Sequence, residues 1–120
     1  MAMTVFTRSG FDAFSGEFKG NSLHDQWESR VAKVGGKVYA VFSEHEDGPA
    51  TLAFKCSQET FEILTALAGV TQAPYFAKRQ WVSVSADADL PEDEVRAYIA
   101  NSHRLVAAGL TKAQRAEIGL

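Results

Sequence analysis

Two runs with strand character, residues 29–34 (SRVAKV) and 37–43 (KVYAVFS), meet at Gly35-Gly36. A Gly-Gly pair supplies the positive φ angles that a two-residue hairpin turn needs, so the pattern predicts a β-hairpin. Along its second strand, Val38, Ala40 and Phe42 fall on one face and Lys37, Tyr39 and Val41 on the other. Apolar residues on both faces predict an interior strand that is partly covered on each side.

Around the hairpin, the periodicity changes from strand to helix and back. Phe11, Phe14 and Phe18 share one face of a short amphipathic helix, which Ser9 would cap and Gly20-Asn21 would end. Residues 22–26 are polar and read as a loop delivering Trp27 to the first strand. After the hairpin, Glu44 to Pro49 reads as a charged turn, and residues 51–55 alternate Leu52 and Phe54 against Thr51, Ala53 and Lys55 as a third strand. Ser57 is placed to cap a helix with Phe61, Leu64 and Ala68 on its apolar stripe, ending near Gly69. Residues 71–77 read as a loop before a fourth strand over 80–85.

Pro91 suits the first position of a long helix, and Glu92, Asp93 and Glu94 suit the positive end of its dipole. Val95, Tyr98, Ile99, Leu105 and Val106 make its apolar face, Gly109 its stop, and Thr111 with Gln114 a capping box for a last short helix. The predicted order is α-β(3)-α-β(1-2)-α-α, an α+β fold in which an antiparallel sheet carries helices. No repeat, linker or low-complexity stretch divides residues 1–120, so one domain is expected.

Composition narrows the function. With 120 residues and 46% hydrophobic content, the chain can build its core by packing alone, without disulfides or a structural metal. The single cysteine, Cys56, excludes an intramolecular disulfide, and the N-terminal MAMTVFTRSGF has no apolar core of signal-peptide or membrane-span length, so a soluble cytoplasmic protein is expected. Twelve Lys and Arg against 15 Asp and Glu give a net charge of −3, the opposite of the balance that duplex-DNA binders use to neutralise phosphates.

Candidate chemistry is sparse. His24-Asp25 are neighbours on an extended chain and point apart, which makes a solvated histidine the bland reading over an acid–base pair. The Glu44-His45-Glu46-Asp47 run offers metal-type ligands, but no second cluster at ligand spacing supports it. Cys56 has no partner base in the sequence beyond three scattered histidines, His24, His45 and His103, so a structural thiol at a strand end is expected. No cofactor, metal site or catalytic constellation is expected.

Several stretches together resemble the MmcQ/YjbR-like family of small bacterial proteins: VAKVGGKVYAVFS, LAFKC, APYFAKRQW and ADLPEDEVRAYIANSHRLV with its following KAQR. Lys33-Val-Gly-Gly-Lys37, Lys55-Cys56, Lys78-x-x-Trp81 and Leu90-Pro91 carry the resemblance as a set, from about Trp27 to the end. It implies a two-layer sandwich with helices on one face of the sheet, like the secretion-chaperone-like folds. Members commonly carry the description DNA-binding protein, a label that rests largely on fold comparison. Where members often read Asn-Lys-x-His-Trp, this chain reads Ala77-Lys78-Arg79-Gln80-Trp81, so the Asn and His are replaced.

Two non-catalytic functions follow as expectations. In the first, a sheet face presents Lys33, Lys37, Tyr39, Lys55 and Trp81, with Arg30, Lys78 and Arg79 nearby, to DNA or single-stranded nucleic acid: ammonium groups for phosphates, rings for bases. The family label puts this first, but a bulge would turn a strand over and scatter the set. In the second, the apolar residues on both hairpin faces serve a homodimer or a protein partner. An apolar patch including Val41 would favour protein interaction, and a continuous basic groove would favour nucleic acid. No membrane role is expected.

Overall fold

The structure, a computed structural model, describes residues 4–74, 76 and 79–120. Helix α1 (Arg8–Ser15) precedes four strands, β1 (Asn21–Gln26), β2 (Ser29–Val34), β3 (Lys37–His45) and β4 (Gly48–Lys55). Helix α2 (Gln58–Leu64) leads to β5 (Val70–Gln72) and β6 (Trp81–Ser85), and α3 (Glu92–Ala108) and α4 (Lys112–Glu117) complete the chain. The strands form one antiparallel sheet in the order β1-β2-β3-β4-β6-β5. The expected α+β class and element order are found, with one strand more in the first run.

That extra strand is β1, where a loop over 22–26 was expected. It pairs with β2 from Asn21↔Val34 to Gln26↔Ser29, and Trp27-Glu28 make the two-residue turn with φ of 54° and 60°. Gly35 and Gly36, at φ 56° and 79°, turn the β2–β3 hairpin as their sequence predicts. The short β5, also in a stretch expected to be loop, pairs along β6.

The helix caps are mostly local and match the sequence: Ser57 accepts from Thr60 N–H, Gly109 ends α3, and Thr111 and Gln114 form the reciprocal capping box. Pro91 stands one place outside α3, at the N-cap. Helix α1 is capped by Thr7 rather than Ser9 and stops at Ser15, so Phe18 packs from the following turn, edge to face with Phe14 and Tyr39.

Alternation along the strands sends Ala32, Val34, Ala40, Phe42, Leu52, Phe54, Val82 and Val84 to the helix side. There they form one core with Phe11, Phe61, Leu64, Val95, Ile99 and Val106. The opposite face carries Lys33, Val41, Ser43, Thr51, Ala53, Lys55, Trp81, Ser83 and Ser85 by register. No helix of the described residues is long and apolar enough to cross a membrane.

Candidate binding face

One irregularity decides which residues share the open face. Between β2 and β3 the register shifts, so that Ala32 pairs with Ala40 but Lys33 with Val38. Tyr39 is therefore the extra residue of a β-bulge, and it turns to the helix side with Ala40. Its ring is fully buried, edge to face with Phe18 and His103, and its hydroxyl donates to Asn21 Oδ1 at 2.6 Å. Burial pushes this phenol upward from its ordinary value. Tyr39 thus leaves the set of open-face rings, and Lys37, which pairs with Val34, leaves it as well and stands exposed at the sheet's end.

Arg30 is on the helix side too. It grips Asp12 with Nε–Oδ1 at 3.0 Å and Nη2–Oδ2 at 3.2 Å, and reaches Asp25 at 3.3 Å. The Asp12 hydrogen bonds raise the Arg30 guanidinium above its ordinary value. Arg8 in turn holds the exposed Asp25, at 2.8 Å, below the usual carboxylate range. Arg30 is consumed by acids of its own chain, so its sheet position does not offer a free cation for phosphate.

Lys33, Lys55 and Trp81 do share the open face, as strand parity requires. Trp81, however, is only 7% exposed, because Phe76 stacks on it at 4.1 Å between centroids. Arg79 is exposed at φ 62° just before β6, and Lys78 lies outside the described residues.

Two residues that the sequence reading did not select take the leading place. Trp27, 65% exposed on the tip of the β1–β2 hairpin, meets Phe76 edge to face at 6.4 Å. With Trp81 they make a chain of three rings across the open face. Trp27 and Phe76 border a groove of about 770 Å³ floored by Val41 and Ala53. Ser29, Ser43, Thr51 and Ser83 place hydroxyls along it, and Ala73 and Pro74 line its far side. Ser29 and Ser43 share a hydrogen bond of 2.7 Å, and His45 Nε2 bonds Thr51 Oγ1 at 3.0 Å. No Lys, Arg, Asp or Glu lines the groove among the described residues. The available signal in the sequence was an aromatic residue just after one predicted loop, Trp27, and another inside the predicted 71–77 loop, Phe76.

The remaining chemistry-bearing residues stay apart. Cys56 is 3% exposed, and burial pushes its thiol up to about 11, away from the thiolate that nucleophilic or metal chemistry needs. His24 bonds Ser22, and His103 bonds the backbone carbonyl of Lys19, so neither faces Cys56. Among the described residues, no group of three or more His, Cys, Asp or Glu could hold a metal ion.

A family model described as YjbR matches residues 16–105. The crystal structure of the Deinococcus radiodurans protein DR2400, described as a DUF419 domain, is similar with a TM-score of 0.86 at 26% identity, covering 100% of this chain and 93% of that one. A Pseudomonas syringae protein, structural genomics target PsR293, has the same fold with a TM-score of 0.69 at 19% identity, over 82% of this chain and 97% of that one. No curated protein matches significantly.

Proposed function

The chain belongs to the YjbR family, and from that premise we propose that it is a non-catalytic binding protein that takes a polypeptide partner on its open sheet face. The groove between the Trp27–Phe76 rings and the Val41–Ala53 floor carries this reading. Its size is that of a ligand site, its lining is apolar with a few hydroxyls, and an exposed tryptophan stands at its border, the composition typical of protein-recognition surfaces. A phosphate backbone would find no cation among its described lining residues.

Selection of a random peptide library on immobilised protein tests the proposal, with Trp27→Gly as counter-selection. Peptides recovered on the wild type and lost on Trp27→Gly are the expected result. Recovery of none, or of peptides indifferent to Trp27, overturns it.

Single-stranded nucleic acid is the second reading, because Lys33 and Lys55 lie on the same open face as the three rings. Ammonium groups beside stacked rings suit phosphates and bases. Anisotropy of labelled single- and double-stranded oligonucleotides decides it. Salt-sensitive binding, lost in Lys33→Ala/Lys55→Ala, supports this reading, and no binding at low salt ends it.

A further inference from the structure

No charged side chain lines the groove among the described residues, but the two ends of the sheet face that flank it are charged. The end formed by the β1–β2 and β3–β4 turns and the exit of β6 carries exposed Glu28, Glu46, Asp47 and Asp87, and the Ser85 hydroxyl donates to Asp87 at the rim. The arginines nearby, Arg8 and Arg30, are engaged by Asp25 and Asp12 and leave no surplus positive charge there. The opposite end, where β4 stops and β6 starts, carries Lys33, Lys55 and Arg79. No acid pairs with these three among the described residues.

Beside the acidic end, Ser43, Thr51 and Ser85 stand in register across three strands, and Ser29 extends the row by its bond to Ser43. Such a row offers donors and acceptors to an extended main chain. The backbone bordering the groove is strained as well. Trp27 and Glu28 both hold positive φ without being glycine, at a cost of about 1 kcal/mol or more each, and this strained turn keeps the indole exposed against Phe76. Strain of this kind persists at ligand clamps, where it holds a binding group in place before the ligand arrives.

Resting on the polypeptide-binding reading above, we infer that the groove selects an extended segment of fixed polarity. An apolar, ring-bearing residue occupies the groove, a lysine or arginine meets the Glu46–Asp47–Asp87 end, and an acidic residue meets the Lys33–Lys55 end. Charge complementarity at both ends sets the direction in which the segment lies and rejects segments of uniform charge.

Three fluorescein-labelled peptides test this by anisotropy at low and high salt. One has a central Phe-Leu-Phe between an Arg-Lys pair and a Glu-Glu pair, one has the same centre between two Glu-Glu pairs, and one keeps the bipolar ends around a Gly-Ser centre. The bipolar Phe peptide should bind at least about tenfold more tightly than either other, with affinity falling as salt screens the ends. Glu46→Gln with Asp47→Asn, both in an exposed turn, should erase the preference over the all-acidic peptide. Trp27→Gly should abolish binding while its melting curve shows the fold intact.

If the bipolar and all-acidic peptides bind equally well, and both bind through Trp27, the polarity is overturned and the polypeptide-binding reading stands. If no Phe-containing peptide binds, or Trp27→Gly changes nothing, both fall.

Discussion

The Ser102 hydroxyl on α3 donates to the backbone carbonyl of Tyr39 at 2.7 Å, and it accepts the N–H of Lys55 at 2.8 Å. The β3–β4 ladder runs as far as Ala40↔Phe54, and at the next step, where the bulge displaces Tyr39, a helix side chain replaces the missing strand partner. One buried hydroxyl thus satisfies two backbone groups that would otherwise face each other unbonded.

Ser102→Ala should therefore cost about 1–3 kcal/mol, the penalty for leaving buried polar groups unpaired. Urea unfolding should show a lower midpoint with an unchanged slope. A shift within experimental scatter would mean that the bulge closes on itself without the helix.

Gly10 lies where the N-terminal segment crosses α1. A Cβ there would stand 1.7 Å from the carbonyl oxygen of Thr4, a backbone atom that cannot swing aside. Although alanine is the better helix former, Gly10→Ala should destabilise by about 1–3 kcal/mol through overpacking. A raised melting temperature would contradict this contact.

Glu92 ties the same segment to the start of α3, accepting from Thr4 Oγ1, Arg96 Nη2 and the Val5 N–H. Burial alone would raise its carboxyl, but these donors outweigh it and hold it below its ordinary 4.5. A carboxylate depressed by folding contributes stability that is fully present above pH 4.5 and is lost as pH falls toward the folded value. Glu92→Gln should flatten the acid limb of a stability–pH curve, and an unchanged limb would remove Glu92 from it.

Cys56 should react slowly with DTNB at mildly alkaline pH in the folded protein and rapidly in denaturant, since burial both shields the thiol and raises it to about 11. Equal rates in the two states would show an accessible thiolate.

The features visible in the sequence are those decided within a few residues. Gly35-Gly36 made the central hairpin legible because a two-residue turn needs positive φ at both places, and Ser57, Thr111 and Gln114 marked helix starts because capping is an i-to-i+3 interaction. Strand β1 was not legible. Of its six residues only Leu23 packs on the core, so it has no apolar face to show and exists because β2 offers an edge to pair with. The candidate site divides the same way. Lys33 and Lys55 reached the open face by simple alternation, whereas Arg30 found acids on the helix side and Trp81 was covered by Phe76.

The sequence by itself determined the α+β class, the order of elements apart from β1, the hairpin and most of the caps, because each depends on torsions and hydrogen bonds between near neighbours. Only the tertiary structure decided which way Tyr39 faces and where the binding groove lies. The bulge that turns Tyr39 inward sits over a Ser102 hydroxyl 63 residues further along the chain. The groove exists because Trp27 and Phe76, from opposite parts of the chain, meet across the sheet. Side-chain alternation counts residues along one strand, and a single extra residue reverses its meaning without leaving a mark in the composition.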